Sequence, residues 1–344
     1  MFVKKKWNKW IVTFFLGVLI CLLGACANPF APDELLEQET TEDPGEGLIV
    51  VGVSQVGSES IWRTAHTASI QEALTAENGY YMIYDNARQK QENQIKAIRN
   101  FISQQVDYIV LSPITETGWD TVLQEAKDAG IPVILMDRMV DVEDESLYAA
   151  WIGSDFEEEG KKAGYWLQEY LEKKEPDEDA VRIVVLLGTE GSTSVIGRSK
   201  GFEYVAAQNP NWEILEQVDA DFTTAKGYEV MKHLLEKYPD IDVVVSQNDD
   251  MTFGALEAMD EAGVTTGKNG DVILISFDAV KTALEKVGEG TINVDIECNP
   301  LQGLYIDMII KNLESGVPIE KKYYTVERIF TPENVGLVLD DRLY

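Results

Sequence analysis

Short runs of consecutive apolar residues, rich in Val and Ile, recur along the chain from Leu48 onward. Runs that are apolar at every position, rather than at alternate positions, are typical of strands buried on both faces of a parallel sheet. The first half of the chain contains the runs LIVVGVS, YYMIYD, DYIVLS and IPVILMD. The second half contains VRIVVLL, WEILEQV, IDVVVS, DVILISF and TINVDI.

Segments with helical spacing of apolar positions lie between these predicted strands. One covers residues 62–78 and ends at Gly79, and another covers residues 117–129 and ends at Gly130. A strand–helix unit of about 25–30 residues is typical of a βαβ fold. It repeats along the first part of the chain, breaks at LYAAWIGSDFEEEG and begins again. The pattern predicts an α/β fold of two doubly wound Rossmann-like lobes.

The N-terminal residues 1–25 predict an export signal. The basic stretch MFVKKKWNKW precedes the apolar stretch IVTFFLGVLICLLGA, which is shorter than the ~20 residues of a spanning helix. It runs into LGAC, which resembles a bacterial lipobox, so we expect the Cys26 thiol to carry a lipid anchor. The alternative is an ordinary signal peptide followed by a chance cysteine.

Residues 26–47 are acidic, contain three prolines and lack sustained periodicity. They predict a lipidated, solvated tether.

Beyond Cys21 in the signal and Cys26, the remaining cysteine is Cys298, so the sequence has no disulfide framework. With two histidines in addition, no zinc site or Cys–His nucleophile can be assembled, and we expect no metal and no cofactor. The net charge of −31 repels phosphate backbones, so we expect no nucleic-acid partner.

Ligands of open α/β sheets bind beyond the carboxyl ends of the strands, so the residues that follow each strand form the candidate site. In the first lobe these include Ser58, Glu59, Trp62, Arg63, Arg88, Gln89, Trp119, Asp137 and Arg138. In the second lobe they include Arg198, Asp221, Phe222, Asn248, Asp249, Asp250 and Asp278.

Asp137 and Arg138 form an acid–base pair directly at a strand end. The Asp137 carboxylate can accept hydrogen bonds from hydroxyl groups, and the Arg138 guanidinium can donate to ring and hydroxyl oxygens. This combination suits a sugar. A structural ion pair is the alternative. For Asp249 and Asp250 we favour helix capping and interaction with the helix dipole. Phe222 alone is typical of a core residue, and its place at a strand end is the argument for a ligand contact.

Other chemistries have weak support in the sequence. The stretch GTEGSTSVIG lacks the lysine of a phosphate-binding loop, and the acidic segment DDMTFGALEAMDEAG lacks the spacing of a calcium loop. Asp278 with Asp137 or Glu59 provides the two carboxylates of a glycosidase, but nothing in the sequence pushes their pKa values apart. We therefore expect no enzymatic activity.

Seven segments spread over residues 48–300 carry a resemblance to a known family. They are VGVSQVGSESIWR, ARQKQENQIKAIRNFISQQVDYIVLSP, GWDTVLQEAKDAGIPVILMDR, VDVEDESLY, DFTTAKGYEVM, QNDDMTFGALEAMDEAG and ISFDAV. In order and content they resemble the type I periplasmic sugar-binding proteins of ABC transporters, the ribose- and galactose-binding group. The first two segments are most similar to the galactofuranose-binding members.

The resemblance implies two lobes joined by a three-crossover hinge that close over one monosaccharide. It implies an N-terminal lobe of residues 48–152 with 299–326 and a C-terminal lobe of residues 153–298 with 327–344. The resemblance and the strand-end pattern together give ten expected ligand-binding residues. They are Ser58, Trp62, Arg63, Gln89, Asp137, Arg138, Arg198, Phe222, Asn248 and Asp278. Ala279 replaces a common glycine, and Cys298 stands where ribose-type proteins often have a glutamine, which leaves the hinge-side contact and the preferred sugar open.

We expect a monomeric, extracytoplasmic solute-binding lipoprotein that delivers a monosaccharide, galactofuranose or a related hexose, to an ABC transporter permease. A lipid anchor on Cys26, at the outer face of the cytoplasmic membrane, is typical of a Gram-positive cell. The alternative is a sugar sensor that presents its closed form to a membrane histidine kinase or chemoreceptor. A sugar-responsive repressor with a related fold would need a basic DNA-binding segment where this chain has the signal and the acidic tether.

Overall fold

The computed structural model of the protein describes residues 47–173 and 180–344. The predicted signal segment, Cys26 and the tether up to residue 46 lie outside the described residues. Within the two described ranges, no helix is both long enough and apolar enough to cross a membrane.

The strands lie close to the predicted apolar runs. In chain order they are β1 (Ile49–Gln55), β2 (Tyr80–Asn86), β3 (Tyr108–Leu111), β4 (Val133–Met136), β5 (Ala150–Gly153), β6 (Val181–Leu187), β7 (Trp212–Asp219), β8 (Val243–Ser246), β9 (Ile273–Asp278), β10 (Val294–Glu297), β11 (Lys322–Tyr324) and β12 (Ile329–Phe330). Every residue of β3, β4, β8 and β9 is buried, as a parallel sheet covered on both faces requires.

The strands form two six-stranded sheets in the described part of the chain. The first has the order β11-β5-β4-β3-β1-β2, and all of its neighbouring strands pair in parallel. The second has the order β12-β10-β9-β8-β6-β7 and is parallel except for the short edge strand β12, which runs antiparallel to β10. The predicted fold class of two doubly wound lobes is confirmed.

Helices cover the sheets. They are α1 (Ile61–Ala73), α2 (Gln91–Ser103), α3 (Asp120–Asp128), α4 (Phe156–Glu172), α5 (Thr193–Ala206), α6 (Thr224–Lys237), α7 (Asp249–Glu261), α8 (Lys281–Glu289) and α9 (Gly303–Glu314). The prediction of one continuous helix over residues 62–78 was wrong at its C-terminal end. Thr75 is extended and its side chain accepts from the Asn78 N–H, which starts a separate 3-10 turn and ends α1.

The chain crosses between the lobes at three places, which lie between β5 and α4, between β10 and α9, and between β11 and β12. The segment predicted simply as the break between the lobes contains β5, the last strand before the first crossover. Four residues, AWIG, are too short a run to be recognised as a strand from apolarity alone.

Candidate functional site

The carboxyl ends of strands from both sheets face a small cavity between the lobes. Its volume is about 20 Å³, room for about one water molecule, so the lining side chains lie close together. The cavity is lined by Glu59, Ser60, Trp62, Arg63, Asp137, Arg138, Phe156, Ser194, Arg198, Phe222, Asn248, Asp278 and Cys298. Eight of the ten candidate residues are in this set, and their role as ligand contacts stays a prediction.

The two other candidates, Ser58 and Gln89, are not among the lining residues. Ser58 is exposed, and its hydroxyl accepts from the Asn86 side chain at 3.4 Å. Gln89 has a left-handed backbone conformation, with φ of 57°, and donates its backbone N–H to the Val56 carbonyl at 2.8 Å. Both residues therefore belong to the turns around the first strand end.

Arg63 is the centre of the charged cluster in the first lobe. It reaches the cavity because Ser60 caps α1 by accepting from the Arg63 N–H, which sets the helix to begin beside the end of β1. Its Nη1 donates to Asp137 Oδ2 at 2.6 Å and its Nε to Glu59 Oε1 at 3.0 Å. Burial alone would raise the pKa of Asp137, but the charges of Arg63 and Arg138 outweigh it and hold that pKa below its ordinary value. The Asp137 carboxylate is therefore ionised inside the cavity.

The position of Asp137 depends on a residue in the second crossover. Gln302 Oε1 accepts from the Asp137 N–H at 3.0 Å and lies 3.1 Å from His66 Nε2. Asp137 needs this support because its backbone is left-handed, with φ of 61°. Burial and the charge of Arg63 lower the pKa of His66 to about 4, so His66 is neutral at physiological pH. This network links the strand-end carboxylate to the hinge.

Arg138 spans the cleft. Its Nη1 donates to the Ile114 carbonyl at 2.8 Å in its own lobe, and its guanidinium lies 5.4 Å from the centroid of the Phe222 ring in the other. Burial lowers its pKa to about 10, which leaves it charged at neutral pH. The Phe222 ring also packs in the core of the second lobe, and its contact with a ligand stays a prediction.

Arg198 is the centre of the charged cluster in the second lobe. Its Nε donates to Glu159 Oε2 at 2.7 Å, its Nη1 donates to the Gln247 carbonyl, and its Nη2 lies 3.3 Å from Asp278 Oδ1. Burial raises the pKa of Asp278 well above its usual range, and attraction to Arg198 only partly opposes this.

The start of α7 departs from the expected capping arrangement. The capping residue is Asn248, whose Oδ1 accepts from the Met251 N–H at 2.9 Å, so the assignment of capping to Asp249 and Asp250 was wrong. Asp249 instead accepts from the Val280 N–H at 2.8 Å. Asp250 accepts from the Ile61 N–H of the other lobe at 2.9 Å.

Direct contacts hold the lobes against each other around the cavity. Besides Asp250 and Ile61, the Met139 N–H donates to Thr193 Oγ1 at 3.0 Å. The Glu116 N–H donates to the Gly191 carbonyl at 2.9 Å. The structure therefore shows the two lobes closed over the site.

The three crossovers meet in a polar cluster behind the cavity. Glu327 Oε1 accepts from Thr325 Oγ1 at 2.7 Å, from the Asn299 N–H at 3.0 Å and from Ser154 Oγ. Ser154 Oγ also lies 3.3 Å from Cys298 Sγ. One residue from each crossover segment thus shares this carboxylate.

Glu159, Cys298 and Glu327 have carboxylate and sulfur atoms within 4.8 Å of one another, which is the spacing of a potential metal site in the described residues. Arg198 already pairs with one oxygen of Glu159. Burial raises the pKa of the Cys298 thiol and of the Glu159 carboxyl well above their ordinary values. Because metal ligands must be deprotonated, this set suits a cation poorly.

Five lining residues were not among the ten expected ligand-binding residues, although Glu59 was among the strand-end candidates. They are Glu59, Ser60, Phe156, Ser194 and Cys298. Glu59 and Ser60 lie in the turn that supplied Trp62 and Arg63, so their position was a usable signal. Phe156 follows β5 and was missed together with that strand. Cys298 follows β10, and its position after a strand was the available signal.

The lining residues include equal numbers of arginines and carboxyl groups. They include the cations Arg63, Arg138 and Arg198 and the carboxyl groups of Glu59, Asp137 and Asp278. Three aromatic rings, those of Trp62, Phe156 and Phe222, line the same space. This combination favours a neutral solute that has many hydroxyl groups and flat apolar faces.

Comparisons with known proteins agree with this arrangement. A family model described as a periplasmic binding protein domain matches residues 51–302. The chain is 39% identical over 298 residues to the galactofuranose-binding protein YtfQ of Escherichia coli (strain K12), an alignment that covers 86% of this chain and 91% of the relative.

Two solved structures are also similar to this chain. A crystal structure from Mycobacterium smegmatis in complex with beta-D-fucofuranose is 41% identical, with a TM-score of 0.82, and the match covers 86% of this chain and 95% of that chain. The periplasmic binding protein component of the arabinose ABC transporter from Shewanella sp. ANA-3, bound to alpha and beta-L-arabinofuranose, is 39% identical, with a TM-score of 0.79 and coverage of 86% and 95%.

Proposed function

Because this chain belongs to the periplasmic binding protein family, we propose that it binds one monosaccharide in the cavity between its two lobes. The relatives are binding proteins rather than enzymes, and so is this chain. Binding itself, with closure of the lobes around the solute, is then the whole activity.

The observation that carries the proposal is that three arginines, three carboxyl groups and three aromatic rings from the two lobes line one cavity. A sugar hydroxyl both donates and accepts, so it can satisfy a carboxylate and a guanidinium together, and the apolar ring faces of the sugar can pack on aromatic side chains. A phosphorylated or acidic sugar would add uncompensated negative charge to a balanced site. The ligand is therefore an uncharged sugar.

Three similar proteins support a furanose ring. By their names they bind galactofuranose, beta-D-fucofuranose and L-arabinofuranose, which share the five-membered ring and differ in the substituent beyond it. We take galactofuranose or a related sugar as the ligand. The expected contacts remain Trp62, Arg63, Asp137, Arg138, Arg198, Phe222, Asn248 and Asp278.

The rest of the proposal concerns delivery. The chain would be exported by residues 1–25, anchored through Cys26 and held to the membrane surface by the tether up to residue 47. Lobes of residues 48–152 with 299–326 and 153–298 with 327–344 would present the sugar, as a monomer, to the permease of an ABC importer. A lipid anchor on the outer face of the cytoplasmic membrane suits a Gram-positive envelope.

A thermal-shift screen of the purified protein against neutral monosaccharides tests the proposal. A ligand at ~100 times its dissociation constant stabilises the folded state by roughly 2.7 kcal/mol, which raises the melting temperature measurably. We expect D-galactose or L-arabinose, which contain furanose forms in solution, to produce such a shift, and galactose 6-phosphate not to. No shift with any neutral sugar would refute the proposal.

A further inference from the structure

Two buried carboxyl groups of the second lobe lie outside the cavity lining, against the turn that carries Asp278. Asp249 is the first residue of α7 and Asp295 lies on β10. Neither residue has any exposed surface, and neither lines the cavity. Their carboxyl groups are within hydrogen-bonding range of each other. The lobe thus contains a pair of adjacent acids that water does not reach.

This carboxyl pair holds the backbone that follows β9. Asp295 Oδ1 accepts from the Ala279 N–H at 3.1 Å, and Asp249 Oδ2 accepts from the Val280 N–H at 2.8 Å. Ala279 and Val280 are the two residues directly after Asp278, whose side chain lines the cavity. The pair therefore fixes the turn from behind, on the side away from the cavity.

The turn needs such support because its backbone is strained. Asp278 and Ala279 are consecutive residues with positive φ, of 103° and 60°. Residues other than glycine keep this conformation only where their surroundings impose it. The Ala279 carbonyl also accepts from Arg342 Nε at 2.8 Å, so both polar backbone groups of Ala279 are bonded. The direction in which the Asp278 side chain enters the cavity depends on these bonds.

One oxygen of the pair needs a proton as its partner. Asp295 Oδ2 is buried and has no donor among the described residues, whereas Asp249 Oδ1 accepts from Ser276 Oγ at 2.5 Å. Two ionised carboxylates side by side would repel each other, and a proton held between them removes one charge and supplies the missing donor. Burial raises the pKa of Asp295 to about 7 and that of Asp249 well above its usual range.

Neighbouring charges only partly compensate a second negative charge on the pair. Arg342 lowers the pKa of Asp295 and Asp278 raises it. Arg342 is already paired with Glu297. The titratable and charged groups on the elements around the pair and its turn are Asp250 on α7, Asp278 on β9, Glu297 on β10, Arg342 and the exposed Lys281 on α8. The bonds from the pair to the turn are therefore complete at low pH and weaken as the pH rises through about 7.

We propose that Asp249 and Asp295 are positioning residues for sugar binding, which share one proton and thereby hold the turn of Asp278 in its binding conformation. When this proton passes to solvent at higher pH, the two carboxylates repel, the turn loosens and the sugar is bound more weakly. The regulation of the site by pH rests on the proposed function.

Asp295→Asn and Asp295→Ala separate the shared proton from general support of the turn. The asparagine oxygen can still accept from the Ala279 N–H, and its amide group can donate to Asp249 at every pH. This variant reproduces the protonated pair without titrating. The alanine variant lacks both the acceptor and the donor, so it should bind sugar more weakly throughout.

The experiment is calorimetric titration of the full chain with D-galactose and L-arabinose at pH 7 and pH 9. Both values lie above the pKa of Asp250, which is about 6. We expect the affinity of the parent for the sugar that it binds to fall about 10-fold between them, since a difference of one pKa unit between free and bound protein corresponds to a factor of ten.

The variants should differ from the parent in this pH profile. Asp295→Asn should bind sugar within about 3-fold of the parent at pH 7 and lose less than about 3-fold by pH 9, whereas Asp295→Ala should bind about 10-fold more weakly than the parent at pH 7. The matched control is Asp260→Asn, at an exposed position on α7, which should follow the parent at both values.

The outcomes separate this role from the proposed function. A pH-dependent parent and an Asp295→Asn variant with constant affinity support the shared proton. A parent that binds sugar equally at both values, or an Asp295→Asn variant that loses affinity as steeply as the parent, overturns it and leaves the proposed function standing. A parent that binds neither these sugars nor any other in the thermal-shift screen overturns the proposed function, and the role of the pair with it.

Discussion

The indole N–H of Trp62 donates to the backbone carbonyl of Cys298 at 2.7 Å. Trp62 lies in the first turn of α1 in the first lobe, whereas Cys298 begins the second crossover after β10. The Trp62 ring also stacks on His66, with centroids 4.9 Å apart, and lines the cavity. The residue at the end of the first strand–helix turn thus joins the first lobe to the hinge.

Replacing Trp62 with Phe should weaken sugar binding. The substitution retains an aromatic ring but removes the donor to the Cys298 carbonyl, which is left buried without that bond. We expect a loss of about 1–2 kcal/mol in binding free energy, since an unpaired buried carbonyl costs roughly this amount. Calorimetric titration with the sugar identified in the screen measures the effect.

The control for Trp62→Phe is Trp166→Phe. Trp166 lies on α4, stacks on Tyr170 and is absent from the cavity lining. The Trp166→Phe variant should bind sugar as tightly as the parent protein. Equal affinities for Trp62→Phe and Trp166→Phe would show that the indole bond to the hinge has no part in binding.

Replacing Asp137 with Ala should reduce both sugar affinity and stability. Asp137 pairs with Arg63 at 2.6 Å, and both side chains are about 4% exposed. Removing the carboxylate leaves a buried cation and deletes an acceptor from the cavity. We expect a loss of ~2–4 kcal/mol in binding, together with a lower free energy of unfolding of the sugar-free protein.

The matched variant for Asp137→Ala is Asp260→Ala, at an exposed position on α7. Calorimetry and urea unfolding on both variants separate a site effect from a general effect of losing an acidic residue. Retained affinity in Asp137→Ala would rule out Asp137 as a ligand contact.

Much of the site could be predicted because the fold places strand ends together. Asp137 directly follows β4, Asn248 lies two residues beyond β8 and Asp278 ends β9, and parallel strands bring their carboxyl ends to one edge. The sequence was informative there because side-chain chemistry and strand position coincide. The same reasoning pointed to Ser58 and Gln89, since it marks the turn after a strand but not the direction of each side chain in that turn.

The supporting residues could not be predicted, because their partners are distant in sequence. His66 lies 3.1 Å from a side-chain oxygen of Gln302, and neither residue follows a strand of the first lobe. Glu159 lies on α4, faces Arg198 and belongs to a helix that begins after the unpredicted strand β5. Such contacts depend on how the crossovers bring the lobes together, which local apolar patterns do not encode.

Asp250 makes the stability of the closed form depend on pH. Burial raises its pKa to about 6, the Ile61 N–H opposes this shift, and the charge of Glu59 adds to it. The folded protein therefore binds the proton of the Asp250 carboxyl more tightly than the unfolded chain does, since Asp has a pKa near 3.8 when unfolded. The contribution to stability is present below pH ~4 and is lost as the pH rises through about 6.

Asp250→Asn should remove this dependence. The amide oxygen can still accept from the Ile61 N–H, whereas the cost of ionising a buried carboxyl disappears. We expect the variant to be more stable than the parent by about 1–3 kcal/mol at pH 7.5 and of similar stability at pH 4, measured by urea unfolding at both values. Asp260→Asn, on the exposed face of the same helix, should show no such difference. A constant difference between Asp250→Asn and the parent across this range would contradict the assignment.

Glu327 should be the most sensitive position of the hinge. Its Oε1 accepts from Thr325, from the Asn299 N–H and from Ser154, so one carboxylate oxygen joins the three crossover segments. Glu327→Ala leaves these donors without that acceptor, and we expect the free energy of unfolding to fall by ~2–4 kcal/mol. Glu327→Gln keeps an amide oxygen in the same place, so its free energy of unfolding should fall less.

The control is Glu333→Ala. It removes an exposed carboxylate that lies 3.4 Å from Lys268, a surface pair worth ~0–1 kcal/mol. Urea unfolding of the three variants ranks them, and a Glu327→Ala protein as stable as Glu333→Ala would show that the crossovers are held together by other contacts.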